Sequence, residues 1–141
     1  RNPEHILAVR AEINSFGLDD RFLLLGKIPY AHIAPLMLNS IAVINPSFFE
    51  GWSTIVEEAK SLGVPLILSN IAVHKEQCPS GEAVFFDPES PSTLAACMGK
   101  MLDDGPTLID SSKRVIEAVC RYSSCREAFA LSYASIVKEL L

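Results

Sequence analysis

The sequence predicts an α/β domain built around a doubly wound parallel sheet. Short, continuous apolar runs occur that suit strands buried on both faces. Between them lie segments whose apolar residues recur at helical spacing. The joints are short and marked by glycine and proline. With 141 residues, 49% of them apolar, the chain has the size of one domain with a single core, read as spanning residues 1–141.

Taken in order, Ile6, Val9 and Ile13 share one helical face, and Phe16-Gly17 closes that helix with a glycine stop. Residues 21–26 (RFLLLG) read as a first buried strand. The segment AHIAPLMLNS reads as a short helix with Pro35 in its first turn. Residues 41–47 (IAVINPS) form a second strand, closed by Pro46-Ser47. A helix follows, for which Thr54 and Glu57 predict a capping box and Ile55, Ala59 and Leu62 an apolar stripe. Gly63 ends it and Pro65 prevents a restart. PLILS is a third strand and residues 83–88 (AVFFDP) a fourth. Ser90-Pro91 predicts an N-cap with proline at the first helical position, opening a helix with Leu94, Cys97, Met98 and Met101 inward. DDGP breaks it, and two further helices are expected, the last carrying Phe129, Tyr133, Ile136, Val137 and Leu140 at core spacing.

Composition excludes several functions. Acidic residues outnumber basic ones 17 to 12, giving a net charge of −5, and no basic stripe runs along any segment, so no nucleic-acid partner is expected. The longest apolar run, residues 22–25, is far too short to cross a bilayer. The polar N-terminus is unlike a signal peptide, which points to a cytoplasmic location. The four cysteines form no CxxC pair and are expected to be reduced and mostly buried, with no metal bound. The sequence begins at Arg1 without a methionine and reads as a fragment.

The stretch PSFFEGWSTIVEEAKSLGVP concentrates the chemistry. In open parallel sheets, ligands bind beyond the carboxyl ends of the strands, so the loop from Glu50 to Thr54 stands where a ligand is expected. The helix start offers unpaired amides and a dipole that favours an anion, and Gly51 lets backbone approach a ligand closely. A phosphate fits there. Glu50 lies before the amides and Glu58 a little over one turn into the helix, so the two carboxylates reach opposite sides of the phosphate. A carboxylate is a pure acceptor suited to vicinal hydroxyls, which sugar rings carry. Phosphate flanked by sugars describes a nucleoside diphosphate sugar.

The frame Glu50-Gly51-Trp52-Ser53, then Glu58-Ala59, then Gly63-Val64-Pro65 resembles the E-x7-E element of retaining glycosyltransferases of the GT-B type, family four. LLLGKIP resembles the strand and loop beneath the nucleotide base, NSIAVINPS the strand before the motif, and NIAVHKEQ the donor-side loop with its glutamate, here Glu76. The segment GEAVFFDPESPSTLAACMGKMLDD resembles the family's last strand and following helix, so the likeness covers nearly the whole chain. It implies a Rossmann-like donor domain, the C-terminal half of a two-domain enzyme. It implies that Glu50 contacts the transferred sugar and Glu58 the ribose hydroxyls. Amides of Trp52, Ser53 and Thr54 would hold the diphosphate, with Gly51 among the donor-binding residues, and Gly26, Lys27 and Ile28 would line the base. It further implies retention of configuration without a metal, a nucleotide-sugar donor, and a sugar or lipid-linked acceptor in polysaccharide or lipopolysaccharide synthesis.

Departures accompany the likeness. Trp52-Ser53 replaces the usual Phe-Gly. The family's Arg and Lys that neutralise the diphosphate lie upstream of the matched region, as do the first two strands and the acceptor domain. Peripheral membrane association would then belong to that absent domain, and unpaired edges would let the isolated chain form homo-oligomers. Each residue also has a plainer reading: Trp52 as packing, Lys27 as a solvated loop lysine, and His74 as a solvated loop residue rather than a catalytic one. A non-catalytic nucleotide-binding module is the competing function. A dinucleotide-binding oxidoreductase is disfavoured, because no GxGxxG follows any strand.

Overall fold

The computed structural model describes residues 3–79, 81–103 and 111–140. Its elements run α1 (Pro3–Ser15), a single 3-10 turn (Tyr30–His32), α2 (Ile33–Leu38), β1 (Val43–Asn45), α3 (Thr54–Ser61), β2 (Leu66–Ser69), α4 (Ala72–Gln77), β3 (Ala83–Phe86), α5 (Pro91–Asp103) and α6 (Ser111–Glu139). The sheet has the order β1-β2-β3, all parallel, with Val43 opposite Leu66 and Leu66 opposite Ala83. Central β2 is buried along its whole length, so both of its faces are covered. Leu66 and Leu68 point into a core shared with Val56, Ala59, Val64, Met37 and Cys78. This is a mixed α/β architecture with three strands where the sequence predicts four.

The missing strand is residues 21–26. Phe22, Leu23, Leu24 and Leu25 are between 41% and 72% exposed, and no described strand lies beside them. A continuous apolar run satisfies the composition of a buried strand, but a strand exists only through its ladder partner. Without one the run stays irregular. Residues 111–139 also differ from expectation, forming one helix of 29 residues instead of the last of two. No glycine or proline interrupts that stretch, so nothing ends the helix. The expected break at DDGP falls mostly on residues 104–110, outside the described residues.

Burial on α6 is also unlike the prediction. Only its first part packs, with Ala118 buried, whereas Phe129 (72%), Tyr133 (61%), Ile136 (55%) and Leu140 (80%) are exposed. Helical spacing identifies a face, and whether that face finds a neighbour is a tertiary matter. On α5, Met98 is likewise exposed, while Leu94, Cys97 and Met101 are half-buried. Of the cysteines, all free, Cys78 is buried while Cys120 and Cys125 are exposed, so the expectation of mostly buried thiols holds for Cys78 alone. Burial pushes the Cys78 thiol above its ordinary value and leaves it chemically quiet. Among the described residues no helix is long and apolar enough to cross a membrane.

The end of α3 positions the site from below. Gly63 adopts a left-handed φ of 67°, its amide donating to Lys60 O at 3.0 Å while that of Val64 donates to Ala59 O at 2.9 Å. These paired bonds close the helix as a Schellman motif. A Cβ at Gly63 would stand 2.7 Å from the carbonyl oxygen of Arg114, so the glycine also lets α6 approach α3. Arg121 of α6 reaches Glu82 at 3.6 Å, and Glu82 in turn reaches Lys60 of α3 at 3.7 Å.

Candidate functional site

Polar side chains gather where β1 and β2 end. Asn45 is the last residue of β1 and Ser69 the last of β2, and both are buried. Asn45 Nδ2 donates to Glu50 Oε1 at 3.1 Å and to Ser53 Oγ at 3.0 Å, while its Oδ1 accepts from the Ser47 amide at 3.1 Å. Ser47 Oγ donates to the same Glu50 oxygen at 2.8 Å. Glu50 is therefore held from one side through Oε1, and Oε2 has no partner among the described residues. The bonds from Ser47, and next from Asn45, hold the Glu50 carboxyl below its ordinary value, with a smaller contribution from His74 nearby. A carboxyl lowered in this way stays charged further into the acid range. What these bonds contribute to stability is present above the unfolded-state value and is lost as pH falls through the folded one.

The start of α3 departs from the predicted capping box. Ser53, not Thr54, is the N-cap, and its side chain makes no cap hydrogen bond because Oγ accepts from Asn45 instead. Gln77, from α4, takes the part that the capping box would give to the glutamate, accepting from the amide of the N-cap residue. Its Oε1 accepts from the Ser53 amide at 3.3 Å, and its Nε2 donates to Ser53 O at 3.0 Å and Glu57 Oε1 at 2.9 Å. Glu57 thus serves Gln77, with Lys60 at 3.7 Å from its other oxygen, and does not turn back on the helix start. Lys60 also donates to the carbonyl oxygen of Gln77. One of the amides expected to face a diphosphate, that of Ser53, therefore already has a partner.

Glu58, the fifth residue of α3, accepts a hydrogen bond from the Tyr30 hydroxyl at 3.0 Å. That bond and the charge of Glu58 push the Tyr30 hydroxyl above its ordinary value. The bond ties Tyr30, two residues beyond Ile28, to α3. Gly26 has a φ of 65°, a conformation that asks for glycine, while Lys27 is exposed and Ile28 half-buried. Trp52 is 53% exposed and Gly51 faces open space, with nothing within 4 Å of where a Cβ would stand. Glu76 is exposed on α4, and no described hydrogen bond joins it to this cluster.

His74 is not a solvated loop residue. It lies on α4 with 0% exposure. Its Nδ1 is 2.9 Å from Ser69 O and 3.1 Å from Ser69 Oγ, and because a carbonyl oxygen can only accept, that nitrogen carries a hydrogen. Nε2 is buried without a partner among the described residues, an arrangement that typically costs about 1–3 kcal/mol.

Sequence reasoning brought out Glu50, Glu58 and the helix start, and missed Tyr30, Asn45, Ser47, Ser69 and Gln77. The polar residues closing two otherwise apolar strands, Asn45 and Ser69, were the available signal. Among the described residues, no group of three or more His, Cys, Asp or Glu side chains is placed to hold a metal ion.

The chain is thus a mixed α/β domain with a small parallel sheet and a polar cluster beyond the strand ends. Residues 7–119 match the family model described as glycosyl transferases group 1, and the chain belongs to that family. Comparison with curated proteins and with solved structures gives no match.

Proposed function

We propose that this chain is the donor-binding part of a retaining, GT-B-type glycosyltransferase that moves a sugar from a nucleoside diphosphate sugar to a polysaccharide or lipid-linked acceptor. The observation that carries this reading is the 3.0 Å bond from Tyr30 to Glu58. Base and ribose are adjacent in a nucleotide, and this bond ties Glu58, assigned to the ribose, to Tyr30, which follows closely on residues 26–28, assigned to the base. Glu58 would accept from the ribose diol with the oxygen Tyr30 leaves open, while the amides of Trp52 and Thr54 at the head of α3 receive the diphosphate. Glu50, on the other side of those amides, would face the transferred sugar through Oε2.

Anion attraction in this chain is weak. The net charge is −5, and none of the described ion pairs brings a lysine or arginine to Glu50 or Glu58. Helix-start amides favour an anion by typically ~0.3–1 kcal/mol at exposed sites. That is modest against the cost of ordering a flexible ligand. Calorimetry of the chain with UDP-, GDP- and ADP-sugars is therefore expected to find one base class bound more weakly than micromolar. Micromolar or tighter binding would contradict the weak-anion account. No binding of any class at millimolar concentration would contradict the donor-site reading.

A further inference from the structure

We infer that Ser69 and His74 are positioning residues for Glu50, acting through Ser47 by a buried hydrogen-bond relay that crosses from β2 and α4 to the loop after β1. The inference rests on the reading of Glu50 as the group facing the transferred sugar. Every link in the relay has a donor and an acceptor. His74 Nδ1–H is shared between Ser69 O at 2.9 Å and Ser69 Oγ at 3.1 Å. Ser69 Oγ–H, whose oxygen accepts from the imidazole, donates to Ser47 O at 2.5 Å. The Ser47 amide donates to Asn45 Oδ1 at 3.1 Å and its hydroxyl to Glu50 Oε1 at 2.8 Å. Ser47 therefore uses its carbonyl, amide and hydroxyl at once, each toward a different element.

The relay has directional consequences. The imidazole hydrogen points to Ser69, the Ser69 hydroxyl hydrogen to the Ser47 carbonyl, and the Ser47 hydroxyl hydrogen to Glu50 Oε1. Reversing any link would bring two acceptors together. Ser69 and His74 are both 0% exposed, so they do not act by contact with substrate. What they supply is the position of Ser47, and Ser47 sets which Glu50 oxygen is occupied and which is open. Of the charged groups around His74, Glu50 lies near enough to feel its influence, and Lys75 and Glu76 on its own helix are exposed. The unpartnered Nε2 gives the imidazole no alternative bond among the described residues, which leaves Ser69 as its anchor.

The test uses selectively 13C-labelled Glu50 in this chain, with its carboxyl titration followed by NMR, together with kinetics of an active transferase carrying the same variants. Ser69→Ala and His74→Ala are expected to raise the Glu50 midpoint toward that of an ordinary glutamate. In the enzyme they should lower kcat roughly ten- to a hundredfold with little change in donor KM. His74→Asn, whose amide N–H falls near the position of Nδ1, should restore both readouts, and His74→Gln should not. If His74→Ala fails to fold, Ser69→Ala and the Asn–Gln pair still decide. Unchanged Glu50 titration in Ser69→Ala, or equal behaviour of the Asn and Gln variants, would overturn the relay. Retention of transfer by Glu50→Gln would instead overturn the role of Glu50, and with it any catalytic meaning of the relay, even where the titration shifts as expected.

Discussion

Replacing Glu50 by alanine in an active transferase that carries this chain is expected to remove most turnover, on the order of a hundredfold or more in kcat. The donor KM should change little if, as proposed, Glu50 faces the reacting sugar through the oxygen that no described residue occupies. Glu58→Ala should act the other way. In the proposed reading its carboxylate bonds the ribose, remote from the reaction, so donor KM should rise by roughly ten- to a hundredfold while kcat falls less. The opposite signatures follow from where the two glutamates stand: Glu50 before the helix, held by Ser47 and Asn45, and Glu58 within it, held by Tyr30. Steady-state kinetics on the two variants separates the roles. Near-native behaviour of both would remove the site assignment.

The second large effect is on stability. Gly63→Ala places a side chain at a φ of 67° with its Cβ 2.7 Å from the Arg114 carbonyl oxygen. The left-handed conformation alone costs a non-glycine residue about 1–2 kcal/mol. Forcing backbone apart at a packed contact typically adds about 1–3 kcal/mol. Denaturant unfolding is therefore expected to show a loss of roughly 2–5 kcal/mol for this one methyl group. Gly51→Ala is the control, since its Cβ would meet nothing within 4 Å and its φ is not positive, and it should change stability little. Equal losses for the two variants would contradict the account of how α6 packs on α3. The proposed function depends on the same contact, because α3 carries Glu58 and the helix start assigned to the diphosphate.

The parts of the fold that were legible in the sequence are those set by local chemistry. Three apolar runs ending in polar or turn residues became β1, β2 and β3, and Gly63 stopped α3 where a left-handed stop was expected. Pro91 opened α5 as its first residue. The failures all needed information about neighbours. Residues 21–26 had the composition of a strand but no ladder partner. Phe129 and Tyr133 had the spacing of a core face, yet their stacked rings, with centroids 6.3 Å apart, lie on an exposed stretch of α6.

The site divides along the same line. Glu50 and Glu58 were visible because their spacing around a helix start carries a chemical meaning by itself. The capping box was misread because Thr54 and Glu57 satisfied a local pattern, while Asn45 and Gln77, distant in sequence, had stronger claims on Ser53 and Glu57. The relay from His74 to Glu50 crosses from one strand end to another, and no local spacing announces it. His74 looked solvated because it is followed by Lys75 and Glu76, and only the packing of α4 shows it buried.

The central claim is that the loop after β1, the head of α3 and the segment before Tyr30 together receive a nucleotide sugar. The most direct test is an amide NMR titration of the 15N-labelled chain with UDP-, GDP- and ADP-sugars at millimolar concentration, which registers weak binding residue by residue. The account predicts that the base class that binds shifts the amides of Trp52 and Thr54 together with those of residues 26–30, and that Glu58→Ala suppresses both sets of shifts. Shifts confined elsewhere, for example to the cleft lined by Arg10, Ile13, Asp19 and Phe22, or no shifts with any of the three, would contradict it.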